Sequence, residues 1–170
     1  MRVMFGCALA ALVLSATAAL AASDTGTATV TILRPITVTK NTDLRFGTVV
    51  EPSSGSATVT ISATGTRTTT LEVGGAAFGA STFTVAGEDG QAVTVTAPAS
   101  FAITNQNGPG TLTVTTTGNT SNTGSQTLAG GTGLGSGGTL LVSVGGAITV
   151  LSTTASGLYS GTFSVSAVYN

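Results

Sequence analysis

Threonine alternates with branched apolar residues along most of this chain, and that two-residue period limits its fold more than any other feature. Val30, Ile32, Ile36 and Val38 take even positions, with threonine at 27, 29, 31, 37 and 39. Val59 and Ile61 alternate with Thr58 and Thr60, Phe83 and Val85 with Thr82 and Thr84, and Val93 and Val95 with Thr94 and Thr96. Leu112 and Val114 alternate with Thr111, Thr113 and Thr115; Leu140, Val142 and Val144 follow, then Ile148 and Val150. The final run sets Tyr159, Phe163, Val165, Ala167 and Tyr169 on one face. A period of two sends successive side chains to opposite faces of a strand. Threonine suits the outer face, because its branched carbon fits the pleat while its hydroxyl meets water.

Turn residues separate these runs: Pro52-Ser53-Ser54-Gly55, Gly74-Gly75, Glu88-Asp89-Gly90, Asn107-Gly108-Pro109-Gly110 and Gly145-Gly146. No segment carries a 3.6-residue period. Roughly nine or ten short strands with turns between them predict an all-β antiparallel sandwich. Residues 117–138, rich in Gly, Ser, Thr and Asn, read as a long connection with a short strand near Leu128.

The first residues have a different character. Arg2 precedes an apolar run from Val3 to Leu14, and Ala19-Leu20-Ala21 has the small-x-small pattern of a cleavage point. Residues 1–21 therefore read as a secretory signal peptide, too short and too interrupted by Ser15 and Thr17 to span a bilayer. Cleavage removes Cys7, the sole cysteine, and the chain beyond it has no apolar stretch long enough for a transmembrane helix. Export is the expected fate, with the protein either soluble or assembled on a surface.

Charge and residue type exclude most chemistry. Only 6% of residues are charged, against roughly 25% in a typical globular protein. The formal net charge of −1 leaves no basic surface for nucleic acid. With no histidine and no cysteine after the leader, Cys/His metal sites, histidine-based triads and thiolate nucleophiles are ruled out. Glu51 and Glu72 could serve as paired glycosidase carboxylates, but carboxylates on turns or outer strand faces ordinarily confer solubility. Glu88-Asp89-Gly90 reads as a hairpin turn in which glycine takes positive φ. Asn119-Thr120-Ser121 fits a glycosylation sequon. No enzyme activity, cofactor or metal is expected.

What remains is at the two ends. Thr25–Val38 alternates but is broken at Arg34-Pro35, and proline cannot donate to a ladder. Residues 22–34 are thus a candidate extension ahead of a sandwich over 35–170, with Ala28, Val30 and Ile32 on one face. The competing reading makes Thr25–Leu33 an edge strand of its own domain. At the other end the sequence closes on an aromatic-rich strand from Gly157 to Asn170.

This closing pattern resembles chaperone–usher pilins, with Tyr169 in the penultimate place, an alternating apolar face and Gly157 upstream. Three segments resemble, more closely, an uncharacterised family of secreted bacterial proteins (a domain of unknown function) related in style to spore coat U-type pilins. These are Pro35–Lys40 with Asp43–Val50, then Val144–Val150, then Tyr159–Val165. The chain departs from spore coat U-type subunits in lacking cysteine after the leader. The resemblance implies an immunoglobulin-like sandwich without its last strand, polymerising by strand donation after chaperone-assisted export. Ala28, Val30, Ile32 and Ile36 would then be donor residues. Gly157, Tyr159, Phe163, Val165, Ala167 and Tyr169 would form the acceptor edge and the end recognised by a periplasmic chaperone. The implied partners are that chaperone, an outer-membrane usher and further copies of the chain in a fimbrium. The alternative is a self-contained secreted sandwich that binds a glycan or a protein through the 117–138 loop.

Overall fold

The protein is described here by a computed structural model covering residues 21–118 and 124–170. Among the described residues eleven strands run in chain order: β1 (Thr37–Thr42), β2 (Ser56–Ile61), β3 (Arg67–Thr69), β4 (Ser81–Glu88), β5 (Ala92–Thr96), β6 (Ser100–Asn105), β7 (Thr111–Gly118), β8 (Ser125–Thr127), β9 (Gly137–Leu151), β10 (Tyr159–Ser160) and β11 (Ser166–Tyr169). There is no helix among the described residues, and hence none long and apolar enough to cross a membrane. The leader and the sequon lie outside the described residues, apart from Ala21 at the leader's end.

Every ladder is antiparallel. The larger sheet has the order β1-β4-β9-β7-β6-β10, with β2 paired to β9 and β3 to β2; the smaller has the order β11-β5-β8. In immunoglobulin-type terms β1-β4-β9-β7 is the A-B-E-D sheet, and β5-β11 is C-F with β8 on the far side of C. Between the sheets, Phe83, Val85, Val142 and Val144 from β4 and β9 meet Val93 and Val95 from β5, with Ala97 and Leu128. A second cluster of Val59, Val114, Ile148 and Val150 lies under the other half of β9, covered by Leu44, Phe46, Val49 and Leu71 among others. Phe163 joins the two, stacked on Phe101 at 4.7 Å and edge-on to Phe83 at 5.9 Å. Both clusters are built from the alternate residues that the sequence marks as inward, and the all-β expectation holds.

Four local expectations need correction. Gly145-Gly146 is not a turn: β9 runs through it for 15 residues. A Cβ on Gly145 would collide with the Ile61 carbonyl oxygen, and one on Gly146 would lie 2.8 Å from Val114 Cγ1. These glycines therefore permit close packing where β9 passes between β2 and β7. The Glu88-Asp89-Gly90 turn forms, with Gly90 at φ 73°, but it is not a hairpin, because β4 and β5 belong to different sheets. The final strand is not continuous. Tyr159–Ser160 pairs with β6, Ser166–Tyr169 pairs with β5, and Gly161–Val165 between them crosses from one sheet to the other. Finally, the alternating N-terminal run enters a ladder only at Thr37, and residues 21–36 lie in no strand.

Candidate functional site

The candidate site is the open edge of β11 together with the segment leading into β1. Asn170 N donates to Ala92 O at 3.1 Å, and the β11/β5 register pairs Val168 with Thr94. Antiparallel ladders alternate, so the even-numbered residues of β11 bond to β5 while the main-chain groups of Ala167 and Tyr169 point away from it. A complete seven-stranded sandwich puts a G strand on that side. No strand among the described residues occupies it.

The proposed acceptor residues separate into two groups. Phe163, Val165, Ala167 and Tyr169 are half-buried and pack on the inter-sheet core. Gly157 and Tyr159 lie elsewhere: Tyr159 sits on β10 beside β6, its hydroxyl donating to Ala155 O at 2.8 Å. Gly157 has φ 152° and abuts the Asn105 side chain. Among the proposed donor residues, Ala28, Val30 and Ile32 are exposed, Val30 by 83% and Ile32 by 82%. Ile36 is half-buried against its own domain's core, so it is already occupied. The chain divides after Thr31, and the unit Ile32–Asn170 contains every strand.

Composition alone gave no hint of the polar junction at the end of β11. The Tyr169 hydroxyl accepts from Glu88 N at 2.7 Å and donates to Arg34 O at 2.8 Å. Arg34 N donates to Glu88 Oε2 at 3.2 Å, the Arg34 guanidinium lies 3.7 Å from the same oxygen, and Arg34 Nη2 donates to Gly135 O at 2.9 Å. Gly87 makes the room, since a Cβ there would collide with the tyrosine hydroxyl. Glu88 is only 1% exposed, and its other oxygen accepts from Gly135 N. Asp89, also buried, accepts from Gly131 N at 3.0 Å and Gly133 N at 2.8 Å. These two carboxyl groups, which the sequence reading assigned to a turn, thus pin the 128–137 stretch to the end of the sandwich. In the sequence these acids stand far from the glycine-rich stretch, so no local signal joins them and only the fold brings them together.

The other carboxylates among the described residues, Glu51 and Glu72 included, are exposed. Asp43 is held below the usual carboxylate range chiefly by the hydrogen bond from Lys40 Nζ at 2.6 Å, then by Arg45 Nη2 at 3.3 Å. Among the described residues no three or more His, Cys, Asp or Glu side chains gather as a metal site would require. The arrangement offers a backbone edge and apolar side chains, which is the chemistry of strand addition.

A family model described as "Domain of unknown function (DUF4402)" matches residues 36–169. No curated protein matches the chain.

Proposed function

The chain belongs to the DUF4402 family, and from that premise we propose that it is a structural subunit of a surface fibre, assembled by donation of an extended strand between copies. The observation that carries this reading is the outer edge of β11, which no strand among the described residues pairs with, beside an A-B-E-D and C-F arrangement. The uncharged stretch Thr25–Leu33, exposed as far as Ile32, complements it. Laid against β11 of another copy, it offers main-chain groups to Ala167 and Tyr169 and turns Ala28, Val30 and Ile32 toward the core. Burying a valine or isoleucine contributes about 1.5–3 kcal/mol, so Val30 and Ile32 together are comparable with a sizeable part of a domain's net stability. Head-to-tail contacts that do not close produce filaments. A periplasmic chaperone covering the same edge before assembly, and an outer-membrane usher, complete the proposal. The leader supports export.

The test is a chain lacking residues 22–33, with Arg34 kept because it anchors the junction, melted with and without a peptide spanning Ser23–Leu33. A rise of several degrees with peptide supports an open edge. A stable truncated domain that ignores the peptide defeats strand donation and favours the self-contained binding module.

A further inference from the structure

A second unpaired stretch of backbone lies inside the larger sheet. The β7/β9 ladder stops at Thr115↔Ala147, and the next pairs in that register, Thr113 with Thr149 and Thr111 with Leu151, do not form. Both strands continue, each bonded on its other side: β7 to β6 as far as Thr111↔Thr104, and β9 to β2 as far as Leu151↔Ser56. Thr116 N donates to Ala99 O at 3.0 Å and Ser152 N to Gly55 O at 3.0 Å. By alternation, the main-chain groups of Thr111 and Thr113 and those of Thr149 face each other across the gap. Leu151 closes one end, its N–H donating to Thr154 Oγ1 at 2.9 Å and its carbonyl accepting from Thr154 N at 3.0 Å. The gap is a cleft of about 370 Å³, lined without any charged residue. Leu112, Val114, Ile148 and Val150 belong to the cluster beneath it.

We infer that this cleft is a second strand acceptor, occupied by the Thr25–Leu33 segment of another copy; the inference rests on reading the chain as a strand donor. The fit has three parts. An inserted strand meets unpaired backbone on two walls, where β11 offers one. The segment is uncharged from Thr25 to Leu33, so no charge is desolvated on entry. Its alternation places Val30 and Ile32 over the apolar floor and Thr29 and Thr31 among the outer threonines.

Cysteine pairing distinguishes the two acceptors. The full-length chain is expressed with Cys7→Ser, so that added cysteines are the only ones whether or not the leader is removed. One preparation carries Thr31→Cys. Partners carry Thr113→Cys or Thr149→Cys for the cleft, Val168→Cys for the β11 edge, or Thr68→Cys as an exposed strand control. After mixing and mild oxidation, disulfide-linked dimers are identified by mass spectrometry. The cleft predicts yields at Thr113→Cys and Thr149→Cys at least about tenfold above Thr68→Cys, because docking raises effective concentration. Linkage to Val168→Cys alone overturns the cleft while leaving strand donation intact. Yields no better than the control at all three positions overturn both.

Discussion

Replacing Tyr169 with phenylalanine tests the junction most directly, because the change removes one oxygen and little else. That oxygen serves two main-chain groups, Glu88 N–H at 2.7 Å and Arg34 C=O at 2.8 Å. Glu88 is 1% exposed, and Leu128, fully buried, packs beside Gly87. Water therefore has poor access to the orphaned N–H. A buried donor left without an acceptor costs about 1–3 kcal/mol, and loss of the more exposed bond to Arg34 adds about 0.5 kcal/mol, for a total of roughly 1.5–3.5 kcal/mol. Urea unfolding of the exported chain measures it as a lower midpoint at constant slope. Tyr159→Phe is the control. Its hydroxyl makes one exposed bond, to Ala155 O, and its removal should cost no more than about 1 kcal/mol. If Tyr169→Phe leaves the midpoint within about 0.5 kcal/mol of the parent, the junction does not hold the end of the sandwich and the argument fails.

Val30→Asp should abolish association of subunits while leaving the unfolding midpoint of the isolated chain unchanged, since Val30 is 83% exposed; electron microscopy showing normal fibres from this variant would sink the donor role. Gly145→Ala should destabilise by about 1–3 kcal/mol, because its Cβ meets the backbone of Ile61 and Ser62, which cannot yield as a side chain can. Gly75→Ala, in open space, should stay within about 0.5 kcal/mol of the parent by the same urea assay. Asp43 has its carboxyl held low in the folded state, so its contribution is present above the unfolded value and disappears as pH falls through the folded one. Carboxyl titration by NMR should show Lys40→Ala moving Asp43 back up toward the ordinary range, and no movement would remove Lys40 as the cause.

The alternation carried far into three dimensions. Val59, Val85, Val93, Val95, Val114, Val142 and Val144 are all fully buried or within 1% of it, because a half-buried strand must place every second side chain inward whatever its neighbours. The Pro52–Gly55 and Asn107–Gly110 turns were readable for a similarly local reason: their residue types fix φ or leave it free. A local rule cannot say what a glycine is for. Gly90 takes positive φ in a turn, whereas Gly145 and Gly146 sit inside a strand to let other backbones approach. Nor can it say which sheet a strand joins, and so β10 and β11 looked like one element until their partners, β6 and β5, were in different sheets.

The sequence by itself determined the fold class, the inward set of each strand, and the exclusion of histidine and cysteine chemistry, since these depend only on residue type and period. Tertiary structure alone decided which edges stay unpaired among the described residues. The outer side of β11, the gap between β7 and β9, and the meeting of Arg34, Glu88 and Tyr169 all join residues far apart in the chain. Backbone pairing is set by spatial neighbours, and the backbone groups it uses are the same in every residue, so no pattern of side chains records which of them find a partner.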